Sequence, residues 1–301
     1  MVNISGGDDW SRPAPRLTPD HVEQYDALWH VLKRKKILLI RVSYKWFDGK
    51  RFKKYWVMDR PGQWQKVNKP IVGTFALDRM QRFDRDSGDY DVAPYIIKRE
   101  MAKRLPIYNA PDFIEAIDNK LYQAVMFADF MPRTRLWYAG NVLQNPRGEL
   151  LVLKQIGGSG GAFVNITRQK VIKIKSLTIQ QDFIRANKKD LRDYRVGITG
   201  DKIEYVYQRI AAPGSLYTNV HLGARMEFAA LKDVGFVTSR AKEILSRLSM
   251  FRKKILSLDF MVDEKTHEPL LVESNSYPGT ANFGQARLDR YLSNLVDHLL
   301  S

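Results

Sequence analysis

Two apolar runs near the C-terminus, residues 256–262 and 269–275, flank a polar turn at 263–268. The pattern predicts a β-hairpin. With the turn centred between Val262 and Pro269, Asp259 falls opposite Val272 or Glu273. Strand side chains alternate faces, so Glu273 and Asn275 point the same way. The hairpin therefore gathers two carboxylates and an amide oxygen into one patch. An all-oxygen set of this kind suits Mg²⁺, which binds through a few carboxylates and leaves positions for phosphate oxygens. The plain alternative is a solvated hairpin. Asp259 argues against it, because it interrupts a run that otherwise looks buried. A lone buried carboxylate is costly without a partner or a metal.

A second stretch with chemical content is Leu153-Lys-Gln-Ile-Gly-Gly-Ser-Gly-Gly161. A predicted strand delivers Lys154 and a glycine loop follows directly. The glycines let backbone N–H groups turn inward on a phosphate group. Lys154 adds a point charge that suits phosphate oxygens. The loop is not a P-loop, because its Lys precedes the glycines. It is not a dinucleotide fingerprint, because strands rather than a helix flank it.

The chain of 301 residues carries a formal charge of +16. Such a field attracts acidic partners: nucleotide phosphates, nucleic acid, acidic peptides or anionic membrane. There are no cysteines, which excludes thiolate metal sites, disulfides and cysteine nucleophiles. No secretory signal and no run of membrane-span length is visible, so the expectation is a cytoplasmic protein.

The elements that must position these residues follow from periodicity. Residues 1–18 are expected to be a loose arm, and a helix runs from Thr18-Pro19 to about Lys33. Residues 37–42 predict a buried strand. Residues 44–56 interleave aromatics with Lys and Arg. They predict either a basic hairpin around Asp48-Gly49 or a surface that stacks bases and tracks phosphates. Residues 57–110 look irregular, apart from a strand at 71–75 and a helix at 94–103. A helix entered at Pro111-Asp112 breaks near Asp118-Asn119. Strands are expected at 135–138, 150–154, 162–166, 171–174, 203–210, 216–221 and 225–231. Helices are expected at 179–187, 239–257 and 285–300.

Five features, in order, resemble the ATP-grasp superfamily, especially its RimK-like and glutathione-synthetase-like carboxylate–amine ligases. They are the helix entry from Tyr108-Asn-Ala-Pro-Asp112 to Lys120, the turn Met131-Pro-Arg-Thr134, Lys154 with its glycine loop, the strand Val206-Tyr-Gln-Arg-Ile210, and Asp259 with Glu273-Ser-Asn-Ser-Tyr-Pro-Gly279. Together they cover about residues 105–280. The resemblance implies an α+β ATP-grasp fold, two subdomains clasping ATP, preceded by a small α/β domain. The implied layout is an N-terminal arm and helix at 1–35, the preceding α/β domain at 36–110, a lid subdomain at 111–210 and a metal-binding subdomain at 211–301.

The resemblance also assigns roles. Lys120 and Lys154 contact ATP phosphates, and Gly158, Ser159, Gly160 and Gly161 close over them. Gln208 and the backbone of Arg209 and Ile210 meet adenine. Asp259, Glu273 and Asn275 hold Mg²⁺ or Mn²⁺. Arg225 or Lys232 supplies a cation near the γ-phosphate. The implied reaction joins a carboxylate to an amine through an acyl phosphate, on a small substrate or an acidic peptide. Two alternatives stay open: a kinase acting on a small hydroxyl substrate, and a basic nucleic-acid or acidic-peptide binding protein. A nucleic-acid partner and a homo-oligomer also stay open, with no membrane partner. Glu273-Ser-Asn275 favours the ligase branch.

Overall fold

The first layer is a sheet of parallel strands crossed by helices. The computed structural model describes residues 2–5, 19–43, 46–72, 76–78, 92–104, 106–156, 164–184, 191–276, 278–280 and 282–301. β1 (Val2–Ser5) leads through α1 (Pro19–Arg34) to β2 (Ile40–Ser43), which lies parallel to it. β3 (Tyr55–Arg60) and β4 (Gln63–Val67) add antiparallel strands through a tight turn at Pro61-Gly62. β5 (Ala76–Asp78), α2 (Val92–Ala102) and β6 (Ile107–Tyr108) extend the other side in parallel. The strand order is β4-β3-β2-β1-β5-β6.

This sheet corrects two expectations. The N-terminal arm is not loose at its start, because β1 pairs on both sides within the sheet. The expected boundary at residue 35 therefore divides one sheet. The stretch after residue 57 is not irregular either. β3 and β4 escaped notice because β4 reads Gln-Trp-Gln-Lys-Val, too polar for the alternation rule.

α3 (Pro111–Asp118) and α4 (Lys120–Met126) follow, broken at Asn119 as expected. Asn119 ends one helix and caps the next, its side-chain oxygen accepting from the Leu121 N–H at 2.9 Å. A four-stranded sheet comes next. It contains β7 (Thr134–Trp137), β9 (Leu151–Gln155), β10 (Val164–Thr167) and β12 (Thr178–Asp182), in the order β10-β9-β12-β7. A small ribbon of β8 (Val142–Gln144) and β11 (Val171–Lys173) flanks it. The helix expected at 179–187 is instead β12 over its described part. That strand lies between β9 and β7 with its two glutamines buried. Gln180 accepts from the Trp137 indole at 2.7 Å and Gln181 donates to the Thr134 hydroxyl at 3.1 Å.

The last layer is a five-stranded antiparallel sheet, β15-β14-β13-β16-β17. Its strands are β13 (Arg192–Thr199), β14 (Lys202–Ile210), β15 (Arg225–Ala229), β16 (Ile255–Val262) and β17 (Pro269–Asn275), with α5 (Gly235–Arg247) before β16 and α6 (Gln285–Leu300) closing the chain. The expected boundary at residue 210 falls inside this sheet, between β14 and β15. The strand expected at 216–221 is replaced by a turn and a 3-10 turn at Val220–Leu222. The helix expected at 239–257 starts and ends earlier. It ends at Arg247 in tight turns, with the Leu248 N–H on the Leu245 carbonyl and the Phe251 N–H on the Leu248 carbonyl, and Lys254, bonded to the Phe251 carbonyl and the Asp201 carboxylate, precedes β16.

Alternation along these strands sorts the two faces. Val196, Ile198, Val206, Leu256, Leu258 and Phe260 pack on α3 and α5, burying Phe113, Ile117, Val237, Ala241 and Ile244. The opposite face carries Tyr205 and Tyr207 toward α6 and α1, which meet through Leu28, Leu32, Leu292 and Leu295. Each such side chain stabilises the fold by about 1.5–3 kcal/mol through burial. The rest of that face is polar. No described helix is long and apolar enough to cross a membrane.

Candidate active site

The polar part of this face is built by the predicted hairpin. β16 and β17 pair with Val262 opposite Pro269 and Asp259 opposite Glu273. Ser257 lies opposite Asn275, so Asp259, Glu273 and Asn275 share one face. The register shifts between Asp259 and Phe260, leaving Val272 as the extra residue of a β-bulge. The Lys154 ammonium donates to the Val272 carbonyl at 2.7 Å. Lys154 stands on β9, so this bond ties the four-stranded sheet to the five-stranded one.

Lys120 reaches the same place from α4. Its Nζ lies 3.7 Å from Glu273 Oε1, and it is largely buried. The elements around it are clamped to β17. The Gln123 side-chain amide donates to the Ser274 carbonyl at 3.1 Å and accepts from the Ser274 N–H at 3.2 Å. Asp118 accepts from the Ser276 N–H and hydroxyl, each at 2.6 Å. Asn109 donates to the carbonyls of Ile255 and Ser276 and accepts from the Ile255 N–H. Residues 273–275 are thus held from behind, with their functional side chains facing forward.

Asp259 is 1% exposed and does not stand alone. Arg195 on β13 grips it with two bonds, Nε to Oδ1 at 2.7 Å and Nη2 to Oδ2 at 2.6 Å. Arg209 on β14 donates from Nη2 to the same Oδ2 at 2.7 Å. Arg209 also forks onto Asp193, which accepts from the Thr218 hydroxyl at 2.6 Å. The result is a buried row of two carboxylates and two guanidiniums. Burial pushes the Asp259 carboxyl up, but Arg195 and then Arg209 more than offset this and hold it at about 2. Asp193 goes the other way. Burial raises it above the usual carboxylate range, against the pull of Arg209.

The donor set fits a hard divalent cation. A carboxylate offers about four lone-pair positions, and three at Asp259 are taken by guanidinium N–H groups. These bonds leave one position on Oδ1 untaken. Glu273 is partly exposed and Asn275 stands two residues further along the same face. The Asn275 amide nitrogen is buried without a hydrogen-bond partner, which marks this side chain as built for a further polar contact. Among the described residues no cluster of three or more His, Cys, Asp or Glu side chains could hold a metal. The set here is two carboxylates and an amide.

Lys154 completes the electrostatics. Burial lowers its pKa to about 8, partly opposed by the attraction of Glu273. It is thus a cation that gives up its proton more readily than an ordinary lysine.

Several site expectations meet a different geometry. Gly158, Ser159, Gly160 and Gly161 lie outside the described residues. Gln208, Arg209 and Ile210 do not form a hinge. β14 is paired on both sides over these residues, with β13 and with β15, so their backbone groups are already used. Gln208 accepts from Arg192 at 2.9 Å, and the Arg209 side chain is committed to Asp193 and Asp259. The chain passes from the four-stranded to the five-stranded sheet after β12. Arg225 pairs with Ile210 and so points to the face opposite Arg209. It is exposed and ion-paired with Glu227 at 2.9 Å. Lys232 is exposed in a 3-10 turn after β15. The cations brought to Asp259 are Arg195 and Arg209 instead. The signal that could have found Arg195 is the pattern through residues 192–199, polar Asp193 and Arg195 against apolar Val196 and Ile198.

Residues 142–290 match the family model described as the RimK-like ATP-grasp domain. A protein described as probable alpha-L-glutamate ligase 2, from Hahella chejuensis (strain KCTC 2396), is 25% identical over 163 residues, covering 53% of this chain and 48% of that protein. The chain therefore spans about half the length of the curated relative it matches. Among solved structures, a RimK domain protein ATP-grasp from Sphaerobacter thermophilus DSM 20745 aligns with TM-score 0.60 at 13% identity, over 100% of this chain and 99% of that one. D-alanine–D-alanine ligase from Bacillus anthracis aligns with TM-score 0.60 at 13% identity, over 99% and 95%. These structural likenesses establish the ATP-grasp fold.

Proposed function

This chain carries a RimK-like ATP-grasp domain, and from that premise we propose that it is an ATP- and Mg²⁺-dependent carboxylate–amine ligase. The observation that supports this most is the convergence of Lys154 and Lys120, from two different elements, on the strand that carries Glu273 and faces Asp259. Two cations beside a patch of hard oxygen donors suit a triphosphate with its metal.

Bound Mg²⁺ supplies charge neutralisation and a template for phosphate oxygens. The protein's own groups do the rest. Asp259, Glu273 and Asn275 hold the cation. Lys120 and Lys154 meet phosphate oxygens and orient the γ-phosphoryl group. Arg195 and Arg209 keep Asp259 ionised and fixed in direction. A substrate carboxylate oxygen attacks the γ-phosphorus, the bond to the ADP oxygen breaks, and an acyl phosphate forms. An amine then attacks the acyl carbon, phosphate leaves, and the nitrogen loses a proton to give the amide. No protein nucleophile is required, in keeping with the absence of cysteine. Catalysis is positioning and charge stabilisation.

The acceptor is an amino acid or a peptide carboxylate in this reading. Incubation with Mg-ATP and a panel of amino acids and acidic peptides, followed by mass spectrometry, tests it. ADP, phosphate and a new amide are the expected products. ADP with a phosphorylated alcohol and no amide identifies a kinase and overturns the ligase reading.

A further inference from the structure

β4 is the outer strand of the first sheet. β3 pairs with one side of it and, among the described residues, nothing pairs with the other. An edge of this kind presents unsatisfied N–H and C=O groups to an incoming strand. The surrounding surface is strongly basic. Residues 46–72 hold seven Lys and Arg against two Asp. Both carboxylates are already engaged, Asp48 by Arg51 and the backbone of residues 50 and 51, and Asp59 by Arg60. Lys50, Lys53, Lys66 and Lys69 are exposed, and of these Lys53 lies near the Asp48 carboxylate, which Arg51 and the backbone already engage. Lys66 pairs with Trp56 in the β3–β4 ladder, and Lys53 and Lys69 lie in the two segments between that ladder and the Phe52–Ile71 bridge. Like charges held together this way repel unless something neutralises them.

The sequence left open a base-stacking role for the aromatics of this region. Their placement speaks against it. Phe52 and Trp56 are 1% and 7% exposed. Phe47 packs on Phe52, Trp64 meets Tyr25 edge-on, and Trp46 lies under the Lys54 ammonium. A single-strand binding surface needs free aromatic faces, and these are spent on the core. What remains outside is a strand edge and ammonium groups.

We propose that the β4 edge, with Lys53, Lys66 and Lys69, is a docking site for an extended acidic peptide. The peptide adds as a further strand beside β4, and its carboxylates meet the lysines. β4 spans five residues, a length of about 17 Å at the usual rise, and Pro70 ends the available edge. The lysines also give selectivity. They discourage pairing with neutral or basic strands, including the same edge of a second copy, while an acidic strand relieves their repulsion. This inference does not depend on the ligase reading, because β4 belongs to the sheet that precedes the Lys154 site.

The test is fluorescence anisotropy of the full chain with a labelled alternating Glu-Val peptide at low and raised salt. Lys53→Glu/Lys66→Glu/Lys69→Glu should weaken binding about tenfold or more, and the corresponding Gln triple should weaken it less. The same peptide N-methylated at alternate residues keeps its charge and loses strand hydrogen bonds. It should bind the wild-type chain about tenfold more weakly, since each lost bond costs on the order of 1 kcal/mol. Lys154→Ala should leave binding unchanged, which separates this site from the nucleotide site. Equal binding of the triple variant or of the N-methylated peptide overturns the proposal. So does tighter binding of a single-stranded oligonucleotide or an anionic phosphatidylserine vesicle that the triple variant abolishes.

Discussion

Lys154 on β9 donates to the carbonyl of Val272, the bulged residue beside Glu273, at 2.7 Å. One bond thus joins the strand that precedes the glycine loop to the strand that carries Glu273 and Asn275. It also explains why the ammonium is desolvated, since it is enclosed between two sheets. β17 is the edge strand of its sheet, so its outward carbonyls have no ladder partner.

Replacing Lys154 by Ala should lower Mg-ATP-dependent turnover by about 10²–10³-fold, with a small change in melting temperature. Lys154→Arg should retain the charge but not the geometry, because a guanidinium is planar and bulkier. Steady-state ADP release checks both. Wild-type turnover in the alanine variant would remove Lys154 from the site.

The Lys154 pKa of about 8 sets a pH dependence. Below that value the ammonium is present, and above it the group is neutral. Nucleotide affinity of the free protein should therefore weaken as pH rises through about 8, and Lys154→Arg should lose that inflection. The stability contribution has the opposite sign. An ordinary lysine titrates near 10.4 in the unfolded chain, so between the two values the unfolded state binds more protons. Stability from this group rises with pH across that window. Calorimetric titration with nucleotide at several pH values measures the first effect, and urea midpoints measure the second.

The buried row Asp193–Arg209–Asp259–Arg195 should be costly to break singly. Asp259→Asn leaves two guanidiniums short of charge, a loss of about 3–5 kcal/mol. Arg195→Leu leaves Asp259 partly unpaired and should cost a similar amount. The double variant Arg195→Leu/Asp259→Asn should lose less than the sum of the single losses, because the two groups interact directly. Denaturant unfolding of the full cycle gives the coupling. Simple additivity would show that the pair contributes nothing specific. No member carrying the Asp259 change should turn over substrate.

Gln123 holds β17 through both backbone groups of Ser274. Gln123→Ala should destabilise by about 1–3 kcal/mol through buried groups left unpaired. It should also lower turnover more than it weakens ATP binding, since Glu273 and Asn275 lose their support. Comparing kcat with the nucleotide Kd separates the two. Gln123→Glu, which keeps an acceptor for the Ser274 N–H, should recover part of the loss.

Leu295 on α6 is 1% exposed and packs against α1. Leu295→Ala should cost about 2–5 kcal/mol and leave the nucleotide Kd unchanged at temperatures where the variant is folded. A shift in that affinity would tie the α1–α6 layer to the site.

Local patterns determined much of this protein without a structure. The position of the turn narrows the partner of Asp259 to Val272 or Glu273, and the β-bulge selects Glu273. The helix break at Asn119 follows from capping chemistry. Lys154 before the glycine loop suggests a phosphate contact from residue type and order, and Lys120 enters through the family resemblance; tertiary structure sets the two beside Val272 and Glu273. Long-range pairing was not legible. β13 and β14 read as part of a lid, yet they pair with β16, and this carries Arg195 and Arg209 to Asp259. β1 read as a loose arm because its neighbours along the chain are polar, although its partners in space are strands. β12 read as helix because buried glutamines look like surface residues until Trp137 and Thr134 are placed beside them. Alternation and capping act within a few residues of the chain. The charge state of Asp259, the face that Arg225 points to and the availability of the Val272 carbonyl depend on strands far apart in sequence, and tertiary pairing alone decided them.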